Sequence, residues 1–107
     1  LKNEVVLKWI LCNKNIAVLA SVCTGALLLA KNGMLSNKQA TTHWGAYDLL
    51  KSIDSSINIV KNQRFVFDRY YTSAGVSSGI DMALYIVEKI FGKKISKNTA
   101  KYMAYKY

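Results

Sequence analysis

IAVLASVCTGALLLAKNGML, residues 16–35, runs from a short apolar segment into a strong helix former through Ser21-Val22-Cys23-Thr24-Gly25. The β-branched content and length of Ile16-Ala17-Val18-Leu19-Ala20 predict a buried strand. Ala26 to Lys31 predicts a helix that stops at Asn32-Gly33. A strand that turns into a helix within about two residues brings the positions flanking the apex almost into contact, so both must be small. Ser21 and Gly25 occupy those places around Cys23. The pattern small-x-nucleophile-x-Gly is that of a nucleophile elbow, with Cys where hydrolases often carry Ser. Such a turn lifts the side chain out of the sheet and sets it at the start of a helix, where a thiolate is favoured. The plainer reading of Cys23 is a buried thiol packed as a small hydrophobe.

Further on, SVCTGALLLAKNGMLSNKQATTHW (21–44) is followed by YYTSAGVSSGIDMALYIVEKIFG (70–92). Together these segments resemble the ThiJ/PfpI superfamily, within the class I glutamine-amidotransferase-like group. The similarity is to the branch that holds isonitrile hydratases and the sensor domains of AraC-type regulators. Its marks are the V-C-T-G elbow, the A-T-T-H-W segment and the T-S-A-G-x-S-S-G-I-D segment, in that order, across residues 4–107. The resemblance implies a flavodoxin-like three-layer α/β/α sandwich with a mostly parallel sheet, of which residues 1–107 form the C-terminal half. Family members carry a further half upstream, with the first strands, a Gly-Gly turn and an acidic residue beside the cysteine. That the chain starts at Leu1 rather than Met fits a missing upstream part.

The chain has 107 residues, 51% of them hydrophobic, enough for one modest core. It has no Pro, no low-complexity tract, and no apolar run near the length of a membrane span. Neither a signal peptide nor a membrane association is expected. Cys12 and Cys23 fit neither a metal site nor a disulfide framework, which points to a reducing, cytoplasmic setting; Cys12 reads as structural. Fifteen Lys and Arg against six acidic residues give a formal charge of +9. Alone, that charge suggests a polyanion partner. The lysines are spread along the chain, however, and gather only at Lys89, Lys93, Lys94, Lys97, Lys101 and Lys106, without a helix-turn-helix pattern. They read as solvated surface, and nucleic acid is not expected as a partner.

Residues 3–12 place Val5, Val6, Trp9 and Ile10 at helical offsets after Asn3, a helix to cover one face of the sheet. Lys38 to Thr42 predicts a short strand leading to His43-Trp44. In a parallel α/β sheet, chemistry gathers at the carboxyl ends of strands, which brings His43 towards Cys23. His43 is the only histidine, so any Cys–His pair must use it; it reads first as a residue of the pocket or its support. Trp44 reads as a pocket wall or core packing. A helix over 46–53 turns Tyr47, Leu49, Leu50 and Ile53 inward. Residues 57–60, 64–67 and 70–73 predict strands, with Asp68-Arg69 at a hairpin turn where related sequences often have Gly. Ser73 and Gly75 border the pocket. Ser78 and Asp81 form a capping box, giving Asp81 a structural task. Helices over 82–91, ending at Gly92, and 96–107, with Thr99, Ala100, Met103 and Tyr102 inward, close the chain.

The chemistry implied by the resemblance is that of a cysteine-dependent hydratase or hydrolase acting on a small electrophilic molecule. Cys23 is the nucleophile and Thr24 a donor to developing negative charge; no metal and no organic cofactor is implied. Two alternatives stand beside it. One is a ligand- or redox-sensing domain of an AraC-type regulator; the other is protease, amidase, glyoxalase or deglycase chemistry. PfpI-type proteases usually place His directly after the cysteine, where this chain has Thr24. An unpaired sheet edge calls for a covering partner, either the missing N-terminal segment or a second copy in a homodimer.

Overall fold

The computed structural model describes residues 3–106. Asn3 starts α1 (Glu4–Cys12) as its residue type predicts, its side chain accepting the Val6 amide at 3.2 Å. The helix packs on α2 (Ala26–Lys31) rather than on a sheet face, and Asn32 fastens it by donating to the Leu7 carbonyl at 2.8 Å. No residue of α1 is buried; Val5 and Trp9 lie on the surface.

The strand before Cys23 is β1 (Ala20–Val22), further along the chain than the apolar run predicts. Ile16, Ala17 and Val18 stay outside the ladder and exposed. The reason is one-sided pairing. β1 runs parallel to β5 (Tyr70–Ser73), with Ser21 opposite Thr72 and Val22 opposite Ser73, and has no strand on its other flank among the described residues. On the far side β5 pairs antiparallel with β4 (Phe65–Asp68), giving the order β1-β5-β4. A second parallel pair joins β2 (Gln39–Ala40) to β3 (Asn58–Ile59). Side chains bridge the two sheets: the Gln39 amide donates to Asp68 Oδ2 at 2.9 Å, and the Thr41 amide to Thr72 Oγ1 at 2.9 Å.

Leu29, Leu35, Leu50 and Ile57 centre the apolar core, between α2, α3 (Tyr47–Ile53) and the β2–β3 pair. Of the residues expected inward on α3, Leu50 is fully buried while Leu49 faces out. Asp54, just after α3, joins two loops by accepting from the Ser36 hydroxyl and from the Ser56 amide and hydroxyl at 2.9 and 2.6 Å.

Helix α4 (Val76–Phe91) begins six residues before the sequence predicts and packs on β1, β4 and β5. Gly75 in extended backbone is its N-cap, no side chain caps it, and the Gly79 amide closes the first turn on the Gly75 carbonyl at 2.7 Å. The expected capping box is therefore absent, since Ser78 is buried inside the helix. After Gly92 at φ +97, α5 (Lys93–Tyr102) also starts early. It turns Ser96 and Ala100 onto α4, the Ser96 hydroxyl donating to the Leu84 carbonyl at 2.8 Å. Tyr102 and Met103, expected inward, are exposed, because Ser96 and Ala100 one turn apart already fill the contact face. The predicted end of this helix at Tyr107 lies outside the described residues.

The β4–β5 hairpin turns on Arg69 alone, at φ +65, because Asp68 and Tyr70 already pair. Its guanidinium donates to the Lys14 and Ile16 carbonyls at 3.1 and 2.9 Å and lies over the Tyr70 ring. Arg69→Ala keeps the backbone strain and loses both bonds, so urea unfolding is expected to show a loss of about 1–2 kcal/mol. Arg69→Gly is expected to regain roughly 1 kcal/mol of that through relief at positive φ. Equal stability of the two variants would contradict this account of the turn. The three serine contacts hold the Asp54 carboxyl below its ordinary value of 3.8. Its stabilising share is thus present above pH 3.8 and lost as pH falls through the lower folded value. An acid titration of Asp54→Asn is expected to show a shallower loss in that window than the parent.

Candidate active site

The parallel ladder carries β1 into Cys23, whose backbone stands at φ +56. A left-handed conformation costs an L-residue with a Cβ about 1–2 kcal/mol. Cys23, Thr24 and Gly25 form a 3-10 turn that runs straight into α2. The two small residues meet as their spacing predicts, for a Cβ on Gly25 would lie 3.4 Å from Ser21 Cβ. The thiol is half-buried and Thr24 is exposed at the start of the turn.

The turn is braced from three sides. The Ser73 hydroxyl, fully buried at the end of β5, donates to the Ser21 carbonyl at 2.9 Å. Ser73 thus lies beneath the elbow, not on the wall of an open pocket. From α4, Gly79 comes so near that a Cβ there would sit 3.1 and 3.2 Å from the two Val22 methyls. The Thr42 hydroxyl, also fully buried, donates to the Cys23 carbonyl at 2.8 Å.

Neither Thr42 nor Gly79 stood out in the sequence. The signal for Gly79 was a glycine inside a helix former, where it costs about 1 kcal/mol against Ala and so marks a close approach. For Thr42, the alternation of faces after β2 turns it opposite to the neighbouring Thr41.

The histidine is otherwise engaged. His43 Nδ1 accepts the Gly45 amide at 3.1 Å, capping the 3-10 turn Trp44–Ala46. A ring nitrogen that accepts is unprotonated, so the neutral imidazole carries its proton on Nε2. Trp44 lies beside that ring at 5.2 Å and is 75% exposed. Asp81 has a structural task other than capping. It pairs with Arg64 through Nε and accepts from the Tyr105 hydroxyl at 2.7 Å, holding that phenol above its usual 10.0. Gly75 is half-buried at the start of α4.

A cavity of about 300 Å³ opens behind the elbow, along the unpaired flank of β1, lined by Trp9, Leu19, Ser21, Val22, Gly25 and Leu28 among others. The lining is mostly apolar, and the Ser21 hydroxyl is buried with no hydrogen-bond partner among the described residues. No group of three or more acidic, His or Cys side chains that could hold a metal occurs among the described residues. No helix there is long and apolar enough to cross a membrane.

The model of the DJ-1/PfpI family matches residues 4–89. The chain is 41% identical over 73 residues to the isonitrile hydratase of Pseudomonas putida, covering 67% of this chain and 31% of that protein. To the HTH-type transcriptional regulator CdhR of Pseudomonas aeruginosa it is 26% identical over 84 residues, 78% of this chain and 25% of that one. Among solved structures, a ThiJ/PfpI family protein from Pseudomonas syringae superposes with a TM-score of 0.85 at 28% identity, over 98% of this chain and 43% of that chain. The chain thus spans less than half the length of each of these relatives, and its fold is the flavodoxin-like α/β fold.

Asn is also a good cap acceptor, so His43→Asn is expected to keep the stability of the parent, while His43→Ala loses about 0.5–1 kcal/mol. Thermal unfolding of the three proteins checks this; a loss in the Asn variant equal to that in Ala would show that the ring, not the cap, matters.

Proposed function

Because the chain belongs to the DJ-1/PfpI family, we propose that it is the elbow-bearing half of an isonitrile-hydratase-like domain that uses Cys23 as its nucleophile. The observation that carries this reading is the positive φ of Cys23 at the apex between a parallel strand and a helix. Backbone strain at a reactive side chain, held by its surroundings, is where function is to be sought. The identity to the isonitrile hydratase supports the choice of substrate class.

The Cys23 thiolate attacks the terminal carbon of R–NC, forming the C–S bond, and one proton is taken up at that carbon to give the thioimidate R–N=CH–S. Water adds to the same carbon, one of its protons passing to the nitrogen and the other returning to the group that gave the first; the C–S bond breaks, the thiolate is restored and R–NH–CHO leaves. The Thr24 amide, at the start of the turn, would donate to negative charge that develops on the substrate. Asp81 is occupied by Arg64 and Tyr105, so it is not assigned the proton. The donor of that proton, and the strands that complete the sheet along β1, are assigned to sequence beyond residues 1–107. His43 and Trp44 would line the approach to the thiol.

The regulator similarity favours a second reading, in which the same domain binds a ligand without turning it over. An aryl isocyanide incubated with the intact protein is expected to give the N-aryl formamide. Cys23→Ala is expected to cut kcat at least about a thousandfold, as loss of a nucleophile does elsewhere. Undiminished turnover in that variant would remove the mechanism, and saturable binding with no formamide would favour the sensor.

A further inference from the structure

We infer that Thr42 is a positioning residue for the nucleophile turn, and that the segment Thr41-Thr42-His43-Trp44 acts on Cys23 through this hydroxyl rather than through the histidine. The inference rests on the reading of Cys23 as nucleophile. Its ground is one hydrogen bond and one constraint. Thr42 Oγ1, fully buried, donates to the Cys23 carbonyl at 2.8 Å. That carbonyl belongs to the same peptide unit as the Thr24 amide, and in a planar trans peptide the C=O and N–H point in opposite directions. Holding the oxygen therefore fixes where the Thr24 N–H points, and with it the donor assigned to the developing charge. The same bond closes on the one residue of the turn at positive φ, opposing its relaxation to the ordinary backbone region. Thr42 reaches it across a gap in sequence from the end of β2, so the two parallel strand pairs meet at the nucleophile itself.

Thr41 supplies the control. It is the adjacent residue and equally buried, yet its hydroxyl has no partner among the described residues. Thr42→Val keeps the shape of the side chain and removes the bond; Thr42→Ser keeps a hydroxyl. In the intact protein with aryl isocyanide, Thr42→Val is expected to lower kcat about tenfold, as misplacement of a catalytic group does, with KM little changed. Thr42→Ser is expected to recover most of it, and Thr41→Val to behave as the parent. The rate of Cys23 alkylation by iodoacetamide, read at that residue by mass spectrometry, follows the same order without reference to any substrate. With the carbonyl released, the apex relaxes and the thiol is presented less well, so Thr42→Val alone is expected to react several-fold more slowly. If the parent turns over no isocyanide but alkylation still depends on the hydroxyl at 42, the hydratase reading fails and the role of Thr42 stands. Equal effects of the Val changes at 41 and 42, or an alkylation rate indifferent to both, would overturn it.

Discussion

Cys23 occupies a backbone region that L-residues avoid, and the surrounding structure holds it there. The strain of about 1–2 kcal/mol is met by bonds that do not reach the thiol. Ser73 fixes the Ser21 carbonyl, Thr42 fixes the Cys23 carbonyl, and the ladder register holds Val22 opposite Ser73. Buried neutral hydrogen bonds contribute about 0.5–1.5 kcal/mol each, so two of them together with the ladder suffice to hold one left-handed residue. The thiol is then free of structural duty. Its side chain makes no hydrogen bond among the described residues, and its orientation is set by backbone groups on either side of it.

Other polar side chains account for how two small sheets behave as one support. Neither β2 nor β3 exceeds two residues, too little to order a sheet by its own ladder. Thr72 and Asp68 of the larger sheet take the Thr41 and Gln39 amides in place of strand partners. Because the Thr41 amide is buried, leaving it unpaired would cost more than the bond gains. The polar contacts therefore fix register between the sheets, and the apolar core under α2 and α3 supplies cohesion without direction. Thr42 stands at the end of this seam, which is why a bond to the Cys23 carbonyl comes from the segment just after β2.

The order of helices and strands was legible because local signals and packing agree. The small-x-Cys-x-Gly spacing gave the elbow, and Asn3 gave the start of α1. Disagreement arose where partners lie far apart in sequence. The apolar run before Cys23 read as a buried strand, but the ladder takes it up only near its end, since β5 pairs with Ala20 to Val22 alone. The Ser78 and Asp81 pair fits a capping box locally, yet Arg64 and Tyr105 claim Asp81 from other elements. Arg69 at the hairpin shows the reverse case. Sequence marked the turn and noted the missing glycine, and the remedy lies in the remote Lys14 and Ile16 carbonyls. His43 drew attention as the sole histidine, whereas the residue that bonds the Cys23 backbone is the plainer Thr42.

The unpaired flank of β1 is coupled to the strain at the apex. Among the described residues β1 has ladder bonds on one side only, and Val18 and Val22 are exposed. Trp9 of α1 stands beside them over the apolar cavity, 68% exposed, where the Ser21 hydroxyl lies buried without a partner. A strand pairing along this flank would cover these side chains and meet Val22 immediately before the strained residue. A strand that paired only in the register ending at Cys23 would bind the left-handed apex in preference to a relaxed one. By linkage, binding that favours one conformation stabilises it in proportion to occupancy. Covering the apolar edge and holding Cys23 would then be one equilibrium, with Thr42 and Ser73 acting from the inner side of the strand and a covering element from the outer.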